Sequence, residues 1–302
     1  MKTVLLTGAT GFLGYYIARQ LSDSNYKTIA LVRNSSDISH LAKLSNIEFI
    51  LFNEENVKSI YKKNKNIKAI IHAATTYGKQ QNYCEVQKVN FFLPSFLLHS
   101  AIEHKVNYFI NCDSFFTDYY QSYKNLEFYT LSKHQFRQWG EKVASNSRVK
   151  FVNLKIFHMY GARDREDKFI PSIIRQLSEQ KDNVLNLTNG EQIRDFIYVE
   201  DVARIIKLLI LHEEQVSYGF NNIDVGTGIA TSIKNLVMKL ACNTNTSTIL
   251  NFGAIQQRQG EIMYAVASKN EYSFLKDIIF TNLDEGLLKT INHFLNQGFK
   301  IR

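Results

Sequence analysis

Short hydrophobic runs alternate with longer amphipathic stretches through the first half of the chain. The runs are rich in valine and isoleucine and end at polar residues or glycine, which is typical of buried strands. They predict six strands, at 3–7, 28–32, 47–51, 67–71, 106–110 and 149–154. Apolar residues spaced three and four apart predict helices at 12–22, 84–103 and 130–145. Strands that alternate with helices predict an α/β fold with a doubly wound parallel sheet of the Rossmann type.

The alternation weakens after about residue 155. A helical pattern covers 168–179, the stretch "RDFIYVEDVARIIKLLI" follows, and the loop "DVGTGIATS" leads into a helix from 232. This half of the chain predicts a smaller mixed α/β substrate lobe, interleaved with the first domain. We place the domains at 1–157 and 158–302.

The net charge of +8 over 302 residues fits an anionic partner. Nucleic acid, an anionic membrane surface and a small anionic substrate are all compatible with it. The chain contains no nucleic-acid-binding motif, and it has no run of about 18 apolar residues that could span a membrane. We expect no nucleic acid and no membrane partner, and the sequence leaves a homodimer open.

The three cysteines, Cys84, Cys112 and Cys242, are odd in number and widely spaced. Such spacing favours neither a disulfide framework nor a zinc site, and the apolar run near the N-terminus is too short for a signal peptide. The histidines form no metal-ligand pattern. We expect a cytoplasmic protein without a metal.

Three glycines, Gly8, Gly11 and Gly14, lie between the first strand and the first helix in "VLLTGATGFLGYYIARQL". Glycine permits a tight turn and a close approach of backbone N–H groups to a pyrophosphate, and the helix N-terminus adds partial positive charge. Because the motif follows a strand and opens the alternating series, it predicts a dinucleotide site.

The spacing G-x-x-G-x-x-G in "TGATGFLG" resembles the extended short-chain dehydrogenase/reductase family of nucleotide-sugar epimerases, dehydratases and reductases. The likeness recurs in "IIHAAT" at 70–75, "VNFFLPSFLL" at 89–98, "LKIFHMYGARD" at 154–164 and "RDFIYVEDVA" at 194–203. It implies cofactor contacts from these motifs and from Asn53, where relatives often carry Asp near the adenine. The cofactor-binding residues implied in this way are Gly8, Thr10, Gly11, Phe12, Leu13, Gly14, Asn53, Ala73, Ala74, Thr75, Asn90, Tyr129, Lys133 and Phe157.

The choice of cofactor depends on the end of the second strand, in "IALVRNSS". A free ribose 2′-hydroxyl is commonly bound by Asp or Glu at this place, whereas a 2′-phosphate calls for Arg. Arg33 stands here and the first acid is Asp37, although Arg33 could also be an ordinary solvated residue. We therefore favour NADP, used as NADPH, and regard NAD as the weaker alternative.

The pattern Tyr-x-x-x-Lys occurs twice, as Tyr120 with Lys124 and as Tyr129 with Lys133. Residues i and i+4 share a face only in a helix, and a nearby ammonium lowers the pKa of a phenol by about 1 to 3 units. The stretch after Tyr129 carries an apolar stripe at helical spacing that would pack on the sheet: Leu131, Phe136, Trp139 and Val143. Tyr120 lies instead in the polar stretch "DYYQSYKN". We predict that Tyr129 and Lys133 are the reactive pair; the alternative is that both tyrosines only pack.

In the family this tyrosine works with a Ser or Thr just beyond the fifth strand, and "YFINCDSFF" places Ser114 there. An ordinary turn hydroxyl is the alternative. The 4,6-dehydratases of the family carry Asp and Glu directly after this residue, where the chain has Phe115 and Phe116. Without those acids, dehydration is disfavoured. "FINCDSFF" and "YTLSKHQFRQW" also resemble 4-reductases of the CDP-abequose and CDP-paratose synthase type, which implies deoxysugar biosynthesis for a surface polysaccharide such as O-antigen.

The resemblance also implies substrate contacts in the second lobe. Arg194 and Arg258 match the family's phosphate-binding arginines, and Glu261 matches an acid that can bind the nucleotide ribose. Surface salt bridges are the alternative for all three. His158 stands where many relatives have Asn, and it either contacts the sugar or is a packed, hydrogen-bonded residue.

The expected function is NADPH-dependent reduction at C4 of a 4-dehydro-6-deoxy nucleotide sugar, with a CDP-sugar favoured. Tyr129 would protonate the emerging alkoxide, Ser114 would polarise the carbonyl, and Lys133 would orient the cofactor ribose and lower the tyrosine pKa. Two alternatives stay open. One is a nucleotide-sugar 4-epimerase with tightly bound NAD, and the other is a non-catalytic nucleotide-sensing or scaffold protein on the same fold.

Overall fold

The structure is a computed structural model that describes residues 1–78, 82–179, 184–269 and 272–298. The chain divides into two compact units. The first comprises residues 1–156, 203–224 and a short segment that ends at Asp277. The second comprises residues 157–202, 225–269 and the described residues from Ile278 onward. The division into a dinucleotide-binding domain at 1–157 and a nucleotide-sugar substrate lobe at 158–302 stays a prediction.

Strands and helices alternate through the first unit, and shorter strands and further helices make up the second. The strands are β1 (Thr3–Thr7), β2 (Lys27–Val32), β3 (Ile47–Leu51), β4 (Ile67–His72), β5 (Tyr108–Ser114), β6 (Lys150–Ile156), β7 (His158–Tyr160), β8 (Val184–Leu187), β9 (Ile193–Arg194), β10 (Phe196–Tyr198), β11 (Gly219–Val225), β12 (Thr231–Ser232), β13 (Ile249–Phe252) and β14 (Tyr264–Ala265). The α-helices are α1 (Phe12–Asp23), α2 (Glu54–Lys63), α3 (Tyr83–Gln87), α4 (Leu93–Glu103), α5 (Glu127–Ser145), α6 (Phe169–Glu179), α7 (Val199–Leu211), α8 (Ile233–Thr244), α9 (Ser273–Lys276) and α10 (Leu283–Asn296). A π-helical turn, Lys88–Phe92, joins α3 to α4 within the predicted helix 84–103.

The central sheet of the first unit has the order β11-β6-β5-β4-β1-β2-β3. Every pairing from β3 through to β6 is parallel. The strand order reverses between β1 and β4, and in such sheets the crevice at the carboxyl ends of these strands is where ligands bind. The predicted doubly wound parallel sheet is confirmed.

The seventh strand, β11, was not predicted because its sequence "GFNNIDV" contains three polar side chains. Two of them bind polar groups of the neighbouring strand β6. Asn222 Oδ1 accepts a hydrogen bond from Asn153 at 2.8 Å, and Asp224 forms an ion pair with Lys155 at 2.9 Å. The polar residues therefore satisfy one another within the sheet, and the hydrophobic signal of an ordinary strand is lost.

Strand β5 begins two residues later and ends four residues later than predicted. All seven of its residues are buried, including Asn111 and Asp113. Asn111 donates to Asn153 Oδ1 at 2.7 Å, and Asn153 donates to Asp113 Oδ2 at 3.0 Å. Because buried polar groups of this kind are satisfied by a neighbouring strand, the strand continues through them and ends at Ser114.

The predicted apolar stripe on α5 is right at Phe136 and wrong at Trp139. Phe136 is buried against the rings of Phe109 and Phe151, with centroids 6.1 and 5.7 Å away. Trp139 is 50% exposed. The buried side instead passes through Gly140, where an added Cβ would collide with the Phe151 ring. A small residue at this point brings α5 close to the sheet, and Trp139 faces outward.

The second unit has an apolar core of its own, formed by residues of α6, α8 and α10 together with short strands. Its polar anchor is Asp195, which is fully buried. Asp195 Oδ1 accepts hydrogen bonds from Thr227 N at 2.9 Å and Thr227 Oγ1 at 2.6 Å, and Oδ2 accepts one from Gly228 N at 2.8 Å. This carboxylate therefore fixes the loop 226–228, which follows β11.

Across residues 1–78, 82–179, 184–269 and 272–298, no helix is both long enough and apolar enough to cross a bilayer.

Candidate active site

The glycine-rich turn joins β1 to α1 and requires glycine at two positions. Gly8 has φ of 72°, and a Cβ there would lie 2.5 Å from Ala74 N, at the end of the neighbouring strand β4. A Cβ on Gly14 would overlap the carbonyl oxygen of Gly8. Gly11 N donates to Gly8 O at 2.9 Å and closes the turn. The turn is therefore as tight as the sequence motif predicts.

The beginning of α1 fits an anionic group such as a cofactor pyrophosphate. Gly11 is the N-cap residue and has no side chain to cap the helix, and the first turn of α1, all of it within the described residues, contains no Asp or Glu. Thr10 and Phe12 are half-buried and Gly11 is exposed, whereas Leu13 packs in the core. Uncapped N–H groups at the positive end of a helix dipole are the donor set that a pyrophosphate needs.

The loop after β4 is held by Asn90, which lies in the π-helical turn and is 2% exposed. Asn90 Oδ1 accepts hydrogen bonds from Thr75 Oγ1 at 3.3 Å and Thr76 N at 3.0 Å. Its amide nitrogen donates to Thr76 O at 2.9 Å and to Ser132 Oγ at 3.1 Å. These bonds occupy the Asn90 amide with protein groups, so we expect it to act on the cofactor site by shaping the loop that contains Ala73, Ala74 and Thr75.

The end of β2 carries the predicted determinants of cofactor choice. Arg33 directly follows β2 and is exposed, and its backbone N–H donates to Ser36 Oγ at 3.1 Å. The first acid, Asp37, accepts from Ser39 N at 2.9 Å, and hydrogen bonding to Ser39 lowers its pKa. Asn53 Oδ1 accepts from Asn56 N at 2.7 Å and caps α2.

Three predicted catalytic residues of the first unit lie together. Ser114 is the last residue of β5, and Tyr129 and Lys133 are buried on α5, one helical turn apart. Hydrogen bonding to the Ser114 hydroxyl lowers the pKa of the Tyr129 phenol. Lys133 Nζ lies 5.8 Å from the centre of the Tyr129 ring and donates to Cys112 O at 2.6 Å. Of the two Tyr-x-x-x-Lys patterns, the second, Tyr129 with Lys133, therefore lies on one helix face.

Burial raises the pKa of the Tyr129 phenol well above its ordinary value. The electrostatic effects of Tyr77 and Asp113 act in the same direction, whereas hydrogen bonding to Ser114 lowers the pKa. The sequence predicts a lowered pKa for this tyrosine. As far as the protein's side chains are concerned this expectation is wrong, because burial of the phenol outweighs the groups that lower its pKa. The structure favours a phenol that keeps its proton at neutral pH.

The other tyrosine of the repeated pattern occupies a different setting. Tyr120 lies in a turn between the 3-10 helices Phe115–Tyr119 and Lys124–Leu126, so Tyr120 and Lys124 are not on one helix. The Tyr120 ring stacks on His134 with centroids 3.9 Å apart. Lys124 Nζ lies 3.7 Å from Glu127 Oε1. The structure gives this pair packing and surface contacts.

Sequence reasoning missed one residue beside Tyr129. The ring of Tyr77 stacks on the ring of Tyr129 with centroids 4.6 Å apart and planes at 24°. Tyr77 follows the "HAATT" end of β4 in a loop without a recognisable pattern. Only the proximity of the β4 and β5 ends to α5 could have suggested the contact.

In the second unit, Arg194 and Glu261 lie together. Arg194 Nη2 donates to Glu261 Oε1 at 2.6 Å, and Nη1 donates to Ile193 O at 2.9 Å. The side chains are only 4% and 15% exposed, so the pair is not a surface salt bridge. Arg258 lies in an exposed stretch before Glu261.

His158 begins β7, and its ring lies 5.6 Å from the ring of Phe196. Burial, together with the charge of Arg194, lowers the pKa of His158 to about 3. The neighbouring Phe157 is buried, and its N–H donates to Val225 O at 3.0 Å. Because its pKa is lowered so far, the imidazole of His158 is neutral at physiological pH.

A family model described as the NAD dependent epimerase/dehydratase family matches residues 4–224. The CDP-abequose synthase of Salmonella typhimurium is 35% identical over 276 residues, 88% of this chain and 89% of the relative. The CDP-abequose synthase of Salmonella muenchen is 32% identical over 294 residues, 96% and 97% of the two chains. The solved UDP-glucuronic acid 4-epimerase of Bacillus cereus, in complex with UDP-glucuronic acid and NAD, is 20% identical and covers 98% of this chain and 99% of its own, with a TM-score of 0.82. That likeness supports the fold.

The motif resemblance and the predicted fold class are thus confirmed by independent comparisons of sequence and of structure. The glycine turn, the Tyr-x-x-x-Lys helix and the matched relatives agree. The chain belongs to the NAD dependent epimerase/dehydratase family.

Proposed function

We propose that the protein is an NADPH-dependent reductase that converts the C4 carbonyl of a 4-dehydro-6-deoxy nucleotide sugar to a hydroxyl. The observation that carries the proposal is the set of Ser114 at the end of β5 with Tyr129 and Lys133, which lie one helical turn apart on α5. The family and the relatives indicate a nicotinamide-dependent enzyme that acts on a nucleotide sugar. The choice of reduction, of C4 and of NADPH is the proposal.

Tyr129 is the proposed proton donor. NADPH, when bound, supplies the hydride that reaches the sugar carbon. Tyr129 gives its hydroxyl proton to the sugar oxygen, and the Ser114 hydroxyl donates a hydrogen bond to the same oxygen. The raised pKa of Tyr129 fits this role because the phenol stays protonated until an alkoxide, a far stronger base, forms beside it.

Lys133 has a supporting role in the proposal. Its ammonium is buried, and Cys112 O fixes its position beside the Tyr129 ring. From there, the remaining N–H donors are available to a cofactor ribose, and the positive charge would stabilise a phenolate after proton transfer. The protein's own groups thus provide both the proton donor, Tyr129, and the positive charge of Lys133, which would stabilise the phenolate that remains.

Elimination of water does not fit the residues that follow Ser114. Dehydration needs an acid for the departing hydroxyl and a base for the neighbouring proton. Phe115 is 2% exposed and its ring packs on Phe116, with centroids 4.0 Å apart. Phe116 also stacks on Tyr123 at 4.9 Å. Aromatic packing fills the places where a dehydratase carries its two acids.

A CDP-sugar is the favoured substrate because both Salmonella relatives are CDP-abequose synthases and each matches over most of its length. In the second unit we assign Arg194 and Arg258 to the diphosphate, Glu261 to the nucleotide ribose and His158 to the sugar. Arg194 is held in place by Glu261, which would orient its remaining donors toward a phosphate. Neutral His158 would offer a hydrogen bond without adding charge.

The test is a panel of CDP-, dTDP- and GDP-linked 4-dehydro-6-deoxy sugars, with loss of the NADPH absorbance band as the readout. We expect stoichiometric oxidation of NADPH with at least one CDP-sugar and slower reaction with the other bases. Absence of oxidation across the panel would overturn the proposal. Interconversion of two sugars by a protein purified with retained NAD would establish a 4-epimerase instead.

A further inference from the structure

Arg137 continues the row of residues on α5 that begins with Tyr129 and Lys133. The three lie four positions apart within the helix, and side chains at this spacing stack along one side of it. Tyr129 and Lys133 are buried, and the Arg137 side chain is 15% exposed. The reactive pair is therefore followed, one turn further on, by a largely buried cation that the proposed chemistry does not use.

The guanidinium of Arg137 binds the segment that follows β5. Its Nη1 donates hydrogen bonds to Thr117 Oγ1 at 3.2 Å and to Asp118 Oδ1 at 2.6 Å, and both partners belong to the 3-10 helix Phe115–Tyr119. Because Nη1 carries two hydrogens, each acceptor has a donor of its own. The side chain thus joins α5 to the turn whose N-cap residue is Ser114.

A histidine and a tyrosine support the other side of the guanidinium. Arg137 Nη2 lies 3.1 Å from His134 Nδ1. Since arginine has only donors, the imidazole nitrogen accepts this bond. The His134 ring is in turn stacked on the ring of Tyr120, with centroids 3.9 Å apart. Both Nη atoms therefore have partners, which fixes the plane of the guanidinium.

Thr117 passes the contact on to Ser114. Thr117 is fully buried, and its Oγ1 accepts from Arg137 while it donates its single proton to Ser114 O at 2.7 Å. Asp113 Oδ2 is further from the same hydroxyl, at 3.2 Å. Ser114 Oγ accepts from Phe116 N at 3.3 Å. The turn therefore holds Ser114 at both its carbonyl and its hydroxyl.

The bond from Phe116 N also directs the hydroxyl proton of Ser114. An N–H group that occupies one lone pair of Oγ leaves the proton of that hydroxyl free for another acceptor. In the proposed reaction this acceptor is the sugar oxygen, and loss of a donor of this kind costs about 100- to 1,000-fold in kcat. The reaction rate is therefore sensitive to small movements of the turn.

The turn is also tied to the sheet, through Asp118. Asp118 Oδ2 accepts from Lys155 Nζ at 3.1 Å, and Lys155 forms an ion pair with Asp224 at 2.9 Å. Arg137 comes from α5, Lys155 from β6 and Asp224 from β11. Cations and carboxylates thus alternate from the helix to the sheet, and the turn lies between the two cations.

We propose that Arg137 is a positioning residue, which holds Ser114 in the orientation that its hydrogen bond to the sugar oxygen needs. The proposal rests on the proposed reductase function. Arg137 acts through Thr117 and the turn, and not by touching the sugar or the cofactor. The loop after β4 is held separately by Asn90, so loss of Arg137 should leave cofactor binding unchanged.

The first test is a double-mutant cycle of Arg137→Ala with Ser114→Ala, measured as NADPH oxidation with the CDP-sugar that the wild type reduces. Arg137→Ala should lower kcat about 10- to 100-fold and leave KM for NADPH unchanged. In the Ser114→Ala background the same substitution should lower kcat by no more than about 2-fold, because the hydroxyl that Arg137 positions is already absent.

Two controls accompany the cycle. Millimolar guanidinium chloride should raise the kcat of Arg137→Ala and should not raise that of the wild type, because the free cation replaces the lost group. Lys142→Ala is the matched control, since it removes an exposed cation from the same helix and should change neither kcat nor KM.

The second test needs no turnover. Hydrogen exchange of the free protein, followed by mass spectrometry, reports how firmly the backbone of residues 115–119 is held. Exchange of this segment should be faster in Arg137→Ala than in the wild type and unchanged in Lys142→Ala. Thr117→Val removes the hydroxyl between Arg137 and Ser114 and keeps the shape of the side chain. It should lower kcat without adding to the effect of Arg137→Ala.

An equal loss of kcat from Arg137→Ala in the two backgrounds would overturn the proposal, because Arg137 would then act on the fold or on another group. Unchanged kcat in the single variant, or unchanged exchange at 115–119, would overturn it as well. If thermal denaturation shows that Arg137→Ala is unfolded, Thr117→Val takes its place in the cycle and the same outcomes decide. A wild type inactive on every sugar, with faster exchange in Arg137→Ala, would instead remove the reductase function and keep Arg137 as the anchor of the Ser114 turn.

Discussion

Asn90 Nδ2 lies 3.1 Å from Ser132 Oγ and joins the loop after β4 to the helix that carries Tyr129 and Lys133. The same amide bonds Thr75 and Thr76. One buried side chain therefore sets the distance between the predicted cofactor loop and the reactive helix.

Asn90→Ala should lower the free energy of unfolding by about 2 to 4 kcal/mol, because it leaves several buried partners unsatisfied. It should also raise KM for NADPH, since the loop loses its anchor. Thermal denaturation and initial-rate kinetics check both effects. Asn146→Ala is the control, because the exposed Asn146 bonds only the end of its own helix at Lys142 O, 2.8 Å away. Equal effects of the two substitutions would refute the anchoring role.

Tyr129→Phe should reduce kcat by about 100- to 10,000-fold, because it removes the general acid and keeps the ring. Tyr120→Phe should be nearly silent, since Tyr120 packs on His134 in a turn. Both variants should bind NADPH, which fluorescence titration can measure. Full turnover by Tyr129→Phe would show that the proton comes from another group.

Arg33→Ser should weaken the use of NADPH and leave that of NADH little changed. Charge-assisted hydrogen bonds are worth about 1.5 to 3 kcal/mol, so KM for NADPH should rise about 10- to 100-fold. The comparison of kcat/KM with the two cofactors is the measurement. Arg148→Ser is the control, because Arg148 is an exposed arginine between α5 and β6. It should change neither value. An unchanged preference after Arg33→Ser would show that the 2′-phosphate is bound elsewhere.

His158 should make stability depend on pH. Burial and the charge of Arg194 lower its pKa from 6.5 to about 3, so the folded state resists protonation that the unfolded state accepts. Its contribution is fully present above the unfolded pKa near 6.5 and is lost as pH falls toward the folded value. In that window the unfolding free energy of the wild type should fall, relative to His158→Gln, by about 1.4 kcal/mol per pH unit.

Denaturant titrations at several pH values compare the two proteins. His99→Gln, at a histidine whose side chain is 70% exposed, should keep the pH slope of the wild type. A slope that is the same for all three proteins would mean that His158 is accessible to solvent.

The sequence was sufficient for the parallel sheet, the glycine turn and the helix position of Tyr129 and Lys133, since these follow from periodicity and spacing. Strand β11 and the end of β5 escaped it because Asn111, Asn153 and Asn222 satisfy one another across three strands. Hydrophobicity alone cannot register polar residues that are buried together.

The orientation of α5 was misjudged because a tryptophan was expected to be buried. The close approach at Gly140 turns another face toward the sheet and leaves Trp139 outside. The contact of Tyr77 with Tyr129 and the ion pair of Arg194 with Glu261 are tertiary, between residues 52 and 67 positions apart. No local pattern in the sequence encodes such distances.

The most direct test of the proposed reduction follows the hydrogen itself. NADPH carrying deuterium at the transferred position of nicotinamide C4 is incubated with CDP-4-dehydro-6-deoxyglucose and the wild-type protein, and the product is analysed by mass spectrometry and NMR. The account predicts one deuterium at sugar C4 for each NADPH oxidised. A product without deuterium at C4, or no product and no NADPH consumed, would contradict it.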